Sequence, residues 1–266
     1  MNLSQNPLKG WDILITRSAE QGRELSEKVI SLGGKAIHIP MIEFRPAEGA
    51  QDNYLKKMAD YDWIIFTSAN TVRFFFKALE KNNVPIPATM KWAAVGDKTK
   101  KILQKEGIEP DFVPNKFSAE DFVEEFISAV KGGKILFPHG NLARSIIPEG
   151  LRNEGFTLDD WTIYETFFPD ESRGKLKDWL QNCGKAVVTF TSPSTVRNFM
   201  EIIRLEGLDH VLPHLTAACI GPVTAKELKN FGVTPRICPS VYTTEAMVNE
   251  MMEYIQKNEE EDQSWN

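Results

Sequence analysis

A near-duplicate segment limits most strongly what this chain can fold into. FTSANTVR at residues 66–73 recurs as FTSPSTVR at 190–197, with six of eight positions identical. The match continues downstream, where AVGDKTKKILQKEG at 94–107 corresponds to CIGPVTAKELKNFG at 219–232. The copies are 124 residues apart in the first pair of segments and 125 apart in the second. A nearly constant spacing of this kind predicts two copies of one structural unit.

Short apolar runs alternate with turns and helical segments along the chain. Trp11–Thr16 is apolar and β-prone, and Ser18 with Gln21 has the spacing of a helix-capping box. Apolar residues then recur at helical spacing until Gly33-Gly34 predicts the helix end. Further apolar runs are Ala36–Ile39, Trp63–Phe66, Trp92–Val95, Ile135–Phe137, Ala186–Phe190 and Ala217–Ile220. This alternation predicts an α/β fold whose parallel sheets are covered on both faces.

The repeat predicts two related α/β domains with a ligand cleft between them, because parallel sheets bind ligands at the carboxyl ends of their strands. The turns expected there carry hydroxyl groups and lead into helices, whose N-termini favour carboxylate or phosphate groups. The predicted ligand-binding residues are Arg17, Thr67, Ser68, Ala69, Asn70, Gly96, Lys98, His139, Gly140, Asn141, Arg144, Thr191, Ser192, Pro193, Ser194, Gly221, Pro222 and Thr224. For any single turn, a hydroxyl that only caps its helix is the better explanation. Six such turns together favour ligand binding.

Composition and missing motifs exclude several classes of function. Lys+Arg 31 against Asp+Glu 37 gives a net charge of −6, so the overall basic footprint of a nucleic-acid-binding protein is absent. Three isolated cysteines and four dispersed histidines argue against a disulfide framework, a metal site or a catalytic triad. The sequence contains no glycine-rich phosphate-binding motif, so we do not expect a nucleotide cofactor. No apolar run is long enough for export or membrane spanning, so we expect a cytoplasmic protein.

Several of these segments together resemble a known family. They are the FTS turns at 66–68 and 190–192, Val95-Gly96, LFPHGN at 136–141, IYET at 163–166 and IGPVTA at 220–225. In this order and spacing they resemble uroporphyrinogen-III synthases, and the resemblance extends from about Asp12 to about Ile255.

The resemblance implies a cofactor-free lyase that dehydrates and cyclises hydroxymethylbilane, a linear tetrapyrrole, with inversion of ring D. The product is uroporphyrinogen III, a precursor of haem. The resemblance also implies a discontinuous domain of 1–39 plus 169–256 and a second domain of 41–167, joined by two extended crossings near Pro40 and Phe168. The repeat alone leaves this pairing open, because two successive domains would also fit it.

Tyr164 in the IYET segment matches a tyrosine that recurs in the family, which implies that it helps the substrate hydroxyl to leave. A tyrosine ordinarily stays protonated at neutral pH, so this residue type suits a proton donor rather than a base. Judged without the family, a lone tyrosine after a strand is better explained by packing.

Basic residues in the predicted turns give a local positive field within an acidic chain. Arg17, Lys98 and Arg144 are predicted to meet the eight carboxylates of the tetrapyrrole. Arg73 and Arg197 lie at the second turn of their helices and are better explained as solvated surface charges.

A different class of function also fits the repeat, namely a cytosolic two-domain sensor that binds a small polyanion without catalysis. Such a sensor retains an unchanged ligand, whereas a synthase releases a cyclised product. We expect a monomer with no nucleic-acid or membrane partner, and we expect the acidic segment 257–266 to be disordered.

Overall fold

The computed structural model describes residues 6–49 and 51–263. The chain divides into two compact units. Unit 1 comprises Met1–Glu43 and Phe167–Asn266, and unit 2 comprises Phe44–Thr166. The sequence of unit 2 is therefore inserted within that of unit 1, and the chain passes between the units twice.

Strands and helices alternate along most of the described chain. The strands are β1 (Asp12–Ile15), β2 (Lys35–His38), β3 (Glu43–Pro46), β4 (Trp63–Phe66), β5 (Lys91–Ala94), β6 (Lys134–Gly140), β7 (Thr157–Phe167), β8 (Ala186–Phe190) and β9 (Thr216–Cys219). The α-helices are α1 (Ala19–Ser31), α2 (Gln51–Lys56), α3 (Ala69–Asn82), α4 (Asp97–Lys105), α5 (Ala119–Ala129), α6 (Ile146–Asn153), α7 (Glu171–Asn182), α8 (Pro193–Leu205), α9 (Pro222–Asn230) and α10 (Thr244–Gln263). Short 3₁₀ helices cover Met58–Asp60 and Asp209–His214.

Unit 1 is built on a parallel sheet with the strand order β2-β1-β8-β9. Leu14 of β1 packs into one core layer with Phe190 and Phe199. Its neighbours Ile13 and Ile15 pack into a second layer on the opposite face, because successive strand residues point to opposite sides of a sheet. Burial of both faces explains why this strand is apolar at every one of these positions.

Unit 2 is built on a sheet with the strand order β3-β7-β6-β4-β5, in which β4 to β7 pair in parallel. Ile64 and Phe66 of β4 pack into an aromatic-rich layer, where the ring centroids of Phe66 and Phe75 are 5.3 Å apart. Trp63 and Ile65 pack into the layer on the other face. The predicted α/β class with parallel sheets is therefore confirmed.

The two units also share a local pairing at equivalent positions. Ala93 forms an isolated parallel bridge to Phe112 in unit 2, and Ala218 forms one to Ile237 in unit 1. The members of the second bridge follow those of the first by 125 residues. The spacing found in the sequence is thus matched by equivalent pairing in the structure.

Each predicted apolar run overlaps a strand, but the turn predicted after β6 begins later than expected. β6 runs from Lys134 to Gly140, so His139 and Gly140 lie in the strand rather than in a turn. The strand continues because β7 pairs with it along its length. Strands β3 and β7 are additions to the predicted set.

The predicted capping box at Ser18 is wrong. Ser18 Oγ is buried and has no hydrogen-bond partner in the described part of the chain. The side chain of Glu43 instead accepts a hydrogen bond from the backbone N–H of Ala19 at 2.7 Å. Gln21 Oε1 accepts one from Arg17 Nη2 at 3.3 Å rather than from the backbone of Ser18. A carboxylate distant in sequence therefore occupies this helix N-terminus.

The disorder predicted for the acidic segment 257–266 is wrong for the part of it that lies in helix α10. The helix includes residues 257–263, while 264–266 lie outside the described residues. Met251 and Ile255 anchor it in the core, and Glu259 accepts a hydrogen bond from the indole N–H of Trp11 at 3.3 Å. Once a helix is anchored, each added residue gains a backbone hydrogen bond at low cost. Within the described residues, no helix has the length and apolar character needed to cross a membrane.

Candidate active site

The sequence-predicted residues of unit 2 lie around the carboxyl ends of its parallel strands. Residues 67–70 follow β4, residues 96–98 follow β5, and residues 141–144 follow β6. Parallel strands place their carboxyl ends at one edge of a sheet, so the structure brings these turns to a common edge. We call this group, together with Tyr164 at the end of β7, the unit 2 edge.

Unit 1 repeats this arrangement. Residues 16–18 follow β1, residues 191–194 follow β8, and residues 221–224 follow β9. We call these three turns the unit 1 edge. The predicted residues thus fall into two sets, one on each sheet.

Tyr164 has an immobilised ring and an unengaged hydroxyl. The residue is buried, its ring stacks on Phe74 with centroids 5.0 Å apart and an angle of 14°, and Phe44 meets it edge-on at 5.9 Å. No described residue forms a hydrogen bond with its hydroxyl. The aromatic neighbours therefore fix the direction of the phenol without using its proton.

Gly140 provides the space that the Tyr164 ring occupies. The two residues are paired in register between β6 and β7. A Cβ added to Gly140 would lie 2.5 Å from Cζ and 2.7 Å from Oη of Tyr164. Only glycine leaves the phenol in this position, so Gly140 contributes through its missing side chain.

Asn141 fastens the end of β7 next to Tyr164. Its backbone N–H donates to the carbonyl of Tyr164 at 3.1 Å. Its side-chain Oδ1 accepts from the N–H of Thr166 at 2.9 Å, and Nδ2 donates to the Thr166 carbonyl at 3.2 Å. Asn141 therefore holds the strand that carries the tyrosine.

His139 lies on the other face of the sheet from Tyr164. Its ring packs near Phe137, which belongs to the core layer opposite that of Tyr164. His139 Nε2 is 3.2 Å from Asp160 Oδ1, and Asp160 Oδ2 also accepts from Arg152 Nη2 at 2.8 Å. The structure thus separates the two side chains and gives His139 a carboxylate partner.

Two predicted serines use their hydroxyls as helix caps. Ser68 Oγ accepts the backbone N–H of Thr71 at 3.1 Å, and Ser192 Oγ accepts that of Thr195 at 3.3 Å. These are equivalent contacts at the starts of α3 and α8. The capping explanation therefore accounts for both serine side chains.

The starts of α4 and α9 differ from these capped helices. Gly96 and Gly221 occupy the N-cap positions, and neither helix has a side-chain cap in the described chain. The backbone N–H groups in the first turn of α4, and those of Val223 and Thr224 after Pro222 in α9, are thus left for another acceptor. Lys98 in the first turn of α4 is exposed.

The basic residues divide into two groups. Lys98 and Arg144 are exposed at the unit 2 edge, and Arg17 is half-buried at the unit 1 edge. Arg73 donates to Asn70 Oδ1 at 3.1 Å, and Arg197 pairs with Glu227 at 3.0 Å. Arg73 and Arg197 therefore have partners on their own or a neighbouring helix.

Phe44 and Phe74 are the main residues of this site that sequence reasoning missed. Phe74 belongs to the Phe74-Phe75-Phe76 run directly after the repeated segment, where the second copy has Asn198-Phe199-Met200. This difference between the copies could have indicated a specialised face on α3. Nothing local marks Phe44, because its contact with Tyr164 depends on the pairing of β3 with β7.

The chemistry available at these edges is that of a phenol, backbone N–H groups and a few cations. Among the described residues, no group of three His, Cys, Asp or Glu side chains is placed to hold a metal ion. The arrangement can donate a proton from Tyr164 and bind carboxylates at helix N-termini.

Comparison with known proteins identifies the family. The model of the uroporphyrinogen-III synthase HemD family matches residues 23–249. The chain belongs to the uroporphyrinogen-III synthase family. A family member from Chlorobaculum parvum, named uroporphyrinogen-III synthase, is 32% identical over 238 residues, which are 86% of this chain and 93% of that protein.

A second relative is longer than this chain. The porphyrin biosynthesis protein HemD of Ruminiclostridium josui is 29% identical over 254 residues, which are 94% of this chain and 49% of that protein. The chain therefore spans about half the length of this relative.

A solved structure supports the family fold. A mutant uroporphyrinogen III synthase from Thermus thermophilus aligns with a TM-score of 0.60 and 17% identity, covering 93% of this chain and 100% of that one. At this identity the likeness concerns the fold alone. The predicted family, fold class and enzyme class are confirmed, since uroporphyrinogen-III synthases are cyclising lyases of tetrapyrrole biosynthesis.

Proposed function

We propose that this family member converts hydroxymethylbilane into uroporphyrinogen III with release of water. The observation that carries the proposal is the geometry of Tyr164, whose ring is fixed by Phe74 and Phe44 while its hydroxyl stands over Gly140. A family match over residues 23–249 supplies the substrate class. The ring contacts support a role for Tyr164 as proton donor, because they fix the direction of its phenol.

Tyr164 is the donor to the departing hydroxyl in this proposal. The pyrrole nitrogen pushes electrons toward the carbon that carries the hydroxyl, the C–O bond breaks, and the phenol proton leaves with the oxygen as water. That carbon first bonds to the substituted α-carbon of ring D, the bond from this α-carbon to the bridge from ring C then breaks, and the bridge carbon bonds to the free α-carbon of ring D. Ring D is thereby inverted as the macrocycle closes, and the proton lost from its free α-carbon returns to the phenolate. The remaining rate enhancement comes from holding a flexible chain in a geometry ready for closure.

The two edges are proposed to bind the substrate carboxylates. Support comes from the uncapped N-termini of α4 and α9 and from the exposed cations Lys98 and Arg144. Arg17 contributes from the unit 1 edge. Ser68 and Ser192 cap helices with their hydroxyl oxygens. In this proposal they therefore bind substrate through the backbone of their turns.

The proposal also covers cofactors, assembly and location. We expect activity without an added cofactor, a monomer in solution and residence in the cytoplasm. Light scattering during size-exclusion chromatography measures the molar mass, and a mass of twice 30.1 kDa would contradict the monomer.

The deciding experiment supplies the purified chain with freshly generated hydroxymethylbilane and separates type I from type III porphyrins after oxidation. Spontaneous closure gives type I, so predominance of type III without added cofactor supports the synthase. Type I alone, from protein shown to be folded, contradicts it. The sensor alternative instead predicts that a bound ligand is recovered unchanged, and the family match does not favour it.

A further inference from the structure

Phe117 and Tyr242 are aromatic side chains that remain largely in solvent. Phe117 is 55% exposed and Tyr242 is 61% exposed. They are 125 residues apart, which is also the spacing between Gly96 and Gly221. The two aromatics are therefore equivalent positions of the internal repeat, one in each unit.

Each of these side chains lies against the glycine that begins a neighbouring helix. A Cβ added to Gly221 would lie 2.9 Å from Cδ1 and 3.1 Å from Cγ of Tyr242. A Cβ added to Gly96 would lie 3.9 Å from Cβ and Cγ of Phe117. Each aromatic thus stands beside the uncapped start of α4 or α9, at the carboxyl ends of its sheet.

The backbone at each aromatic is fixed by the next residue. Ser118 Oγ accepts the N–H of Asp121 at 3.0 Å and begins α5. Thr243 Oγ1 accepts the N–H of Ala246 at 3.1 Å and begins α10. These caps fix the chain directly after a ring that is itself left exposed.

An exposed ring gains little from folding, and the internal repeat places one at the equivalent position of each unit. The residues before the two aromatics are Lys116 and Val241, which share no chemistry. Aromatic character is therefore common to both copies where the preceding residue differs. A flat ring beside free N–H donors suits a ligand that combines a flat ring with carboxylates.

We propose that Phe117 and Tyr242 are substrate-positioning residues, each stacking on one pyrrole ring of the linear tetrapyrrole. This inference rests on the proposed function. The substrate carries eight carboxylates on four rings, so a ring stacked at either position brings its own carboxylates to the N-terminus of α4 or α9. A ring at either position would then be bound both through its face and through its carboxylates.

Single and double alanine variants of Phe117 and Tyr242 test this inference. Phe117→Tyr and Tyr242→Phe keep a ring, whereas Phe117→Leu and Tyr242→Leu keep bulk without one. Phe231→Ala and Val241→Ala are matched controls, because both residues are exposed and apolar. Type III formation is followed for KM and kcat, and dissociation constants are measured with uroporphyrin III, the oxidised product. Circular dichroism verifies folding.

We expect each alanine variant to raise KM and the dissociation constant by about threefold to tenfold, with kcat changed far less. The aromatic replacements restore both values, the leucine variants do not, and the controls match the wild type. Unchanged constants in the alanine variants, or full rescue by leucine, would overturn the inference. If the wild type forms no type III product, the proposed function fails, while the titration with uroporphyrin III still decides whether the two rings bind a tetrapyrrole.

Discussion

Replacing Gly140 by alanine tests whether the position of the Tyr164 hydroxyl sets the rate. The added Cβ would lie 2.5 Å from Cζ and 2.7 Å from Oη of the phenol. Ordinary carbon contacts are about 3.5 Å, so the ring must move by about 1 Å. Phe74 stacks on the ring and limits where it can go. A displacement of this size at a reacting group costs about a hundredfold in rate.

The same substitution is expected to cost about 1–3 kcal/mol of stability, because it overpacks a filled site. The assay compares kcat for type III formation with the free energy of unfolding in denaturant. Gly174→Ala is the matched control, since nothing lies within 4 Å of a Cβ added there. It should leave kcat unchanged and stabilise helix α7 by up to about 1 kcal/mol.

A double variant decides between displacement of the hydroxyl and general damage. If Gly140→Ala acts through the phenol proton, it should lower kcat only slightly further when Tyr164 is already phenylalanine. A full hundredfold loss in that background would refute the reasoning. Wild-type kcat in folded Gly140→Ala would refute it as well.

Three further predictions concern single positions. Tyr164→Phe should lower kcat by about a hundredfold or more, at least as far as Gly140→Ala does, with the fold intact, whereas the control Tyr254→Phe should not; equal turnover would remove Tyr164 as the donor. Gly221→Ala should displace the Tyr242 ring and raise KM as Tyr242→Ala does, and an unchanged KM would contradict this. Burial raises the pKa of the Cys219 thiol to about 12, so at pH 8 almost none is thiolate and alkylation should require unfolding. Mass spectrometry checks this, and native labelling of Cys219 as fast as that of Cys238 would count against it.

The sequence predicted strands best where burial on both faces makes them largely apolar. β1 and β8 are such strands, and they lie at the centre of the unit 1 sheet. The sequence did not predict β7, because its residues TLDDWTIYETF mix apolar and acidic side chains and do not form a continuous apolar run. Asp160 is stable within it because it meets His139 and Arg152. His139 lies in β6 and Arg152 in α6, so the local sequence of β7 does not indicate either partner.

The candidate site shows the same division between local and distant information. Capping by Ser68 and Ser192, the alternative to ligand binding at each turn, could be seen in the local sequence, since capping depends on residues three positions apart. The cap at α1 was wrong because Glu43, from a later strand, supplies the acceptor. The packing of Phe44 and Phe74 around Tyr164 likewise depends on strand order and helix placement. Such contacts exist only once the fold has formed.

The insertion of unit 2 within unit 1 has a consequence for how the chain folds during its synthesis. β3 and β7 are neighbours in the unit 2 sheet, and Ala47 N–H donates to the Ile163 carbonyl at 3.1 Å. Every strand of unit 2 has therefore left the ribosome before β8 emerges. β1 must wait for that strand, its partner on one side, across more than 170 residues, which is about 10–30 s of translation. During synthesis, unit 2 should thus fold first, while β1 still lacks its pairing with β8.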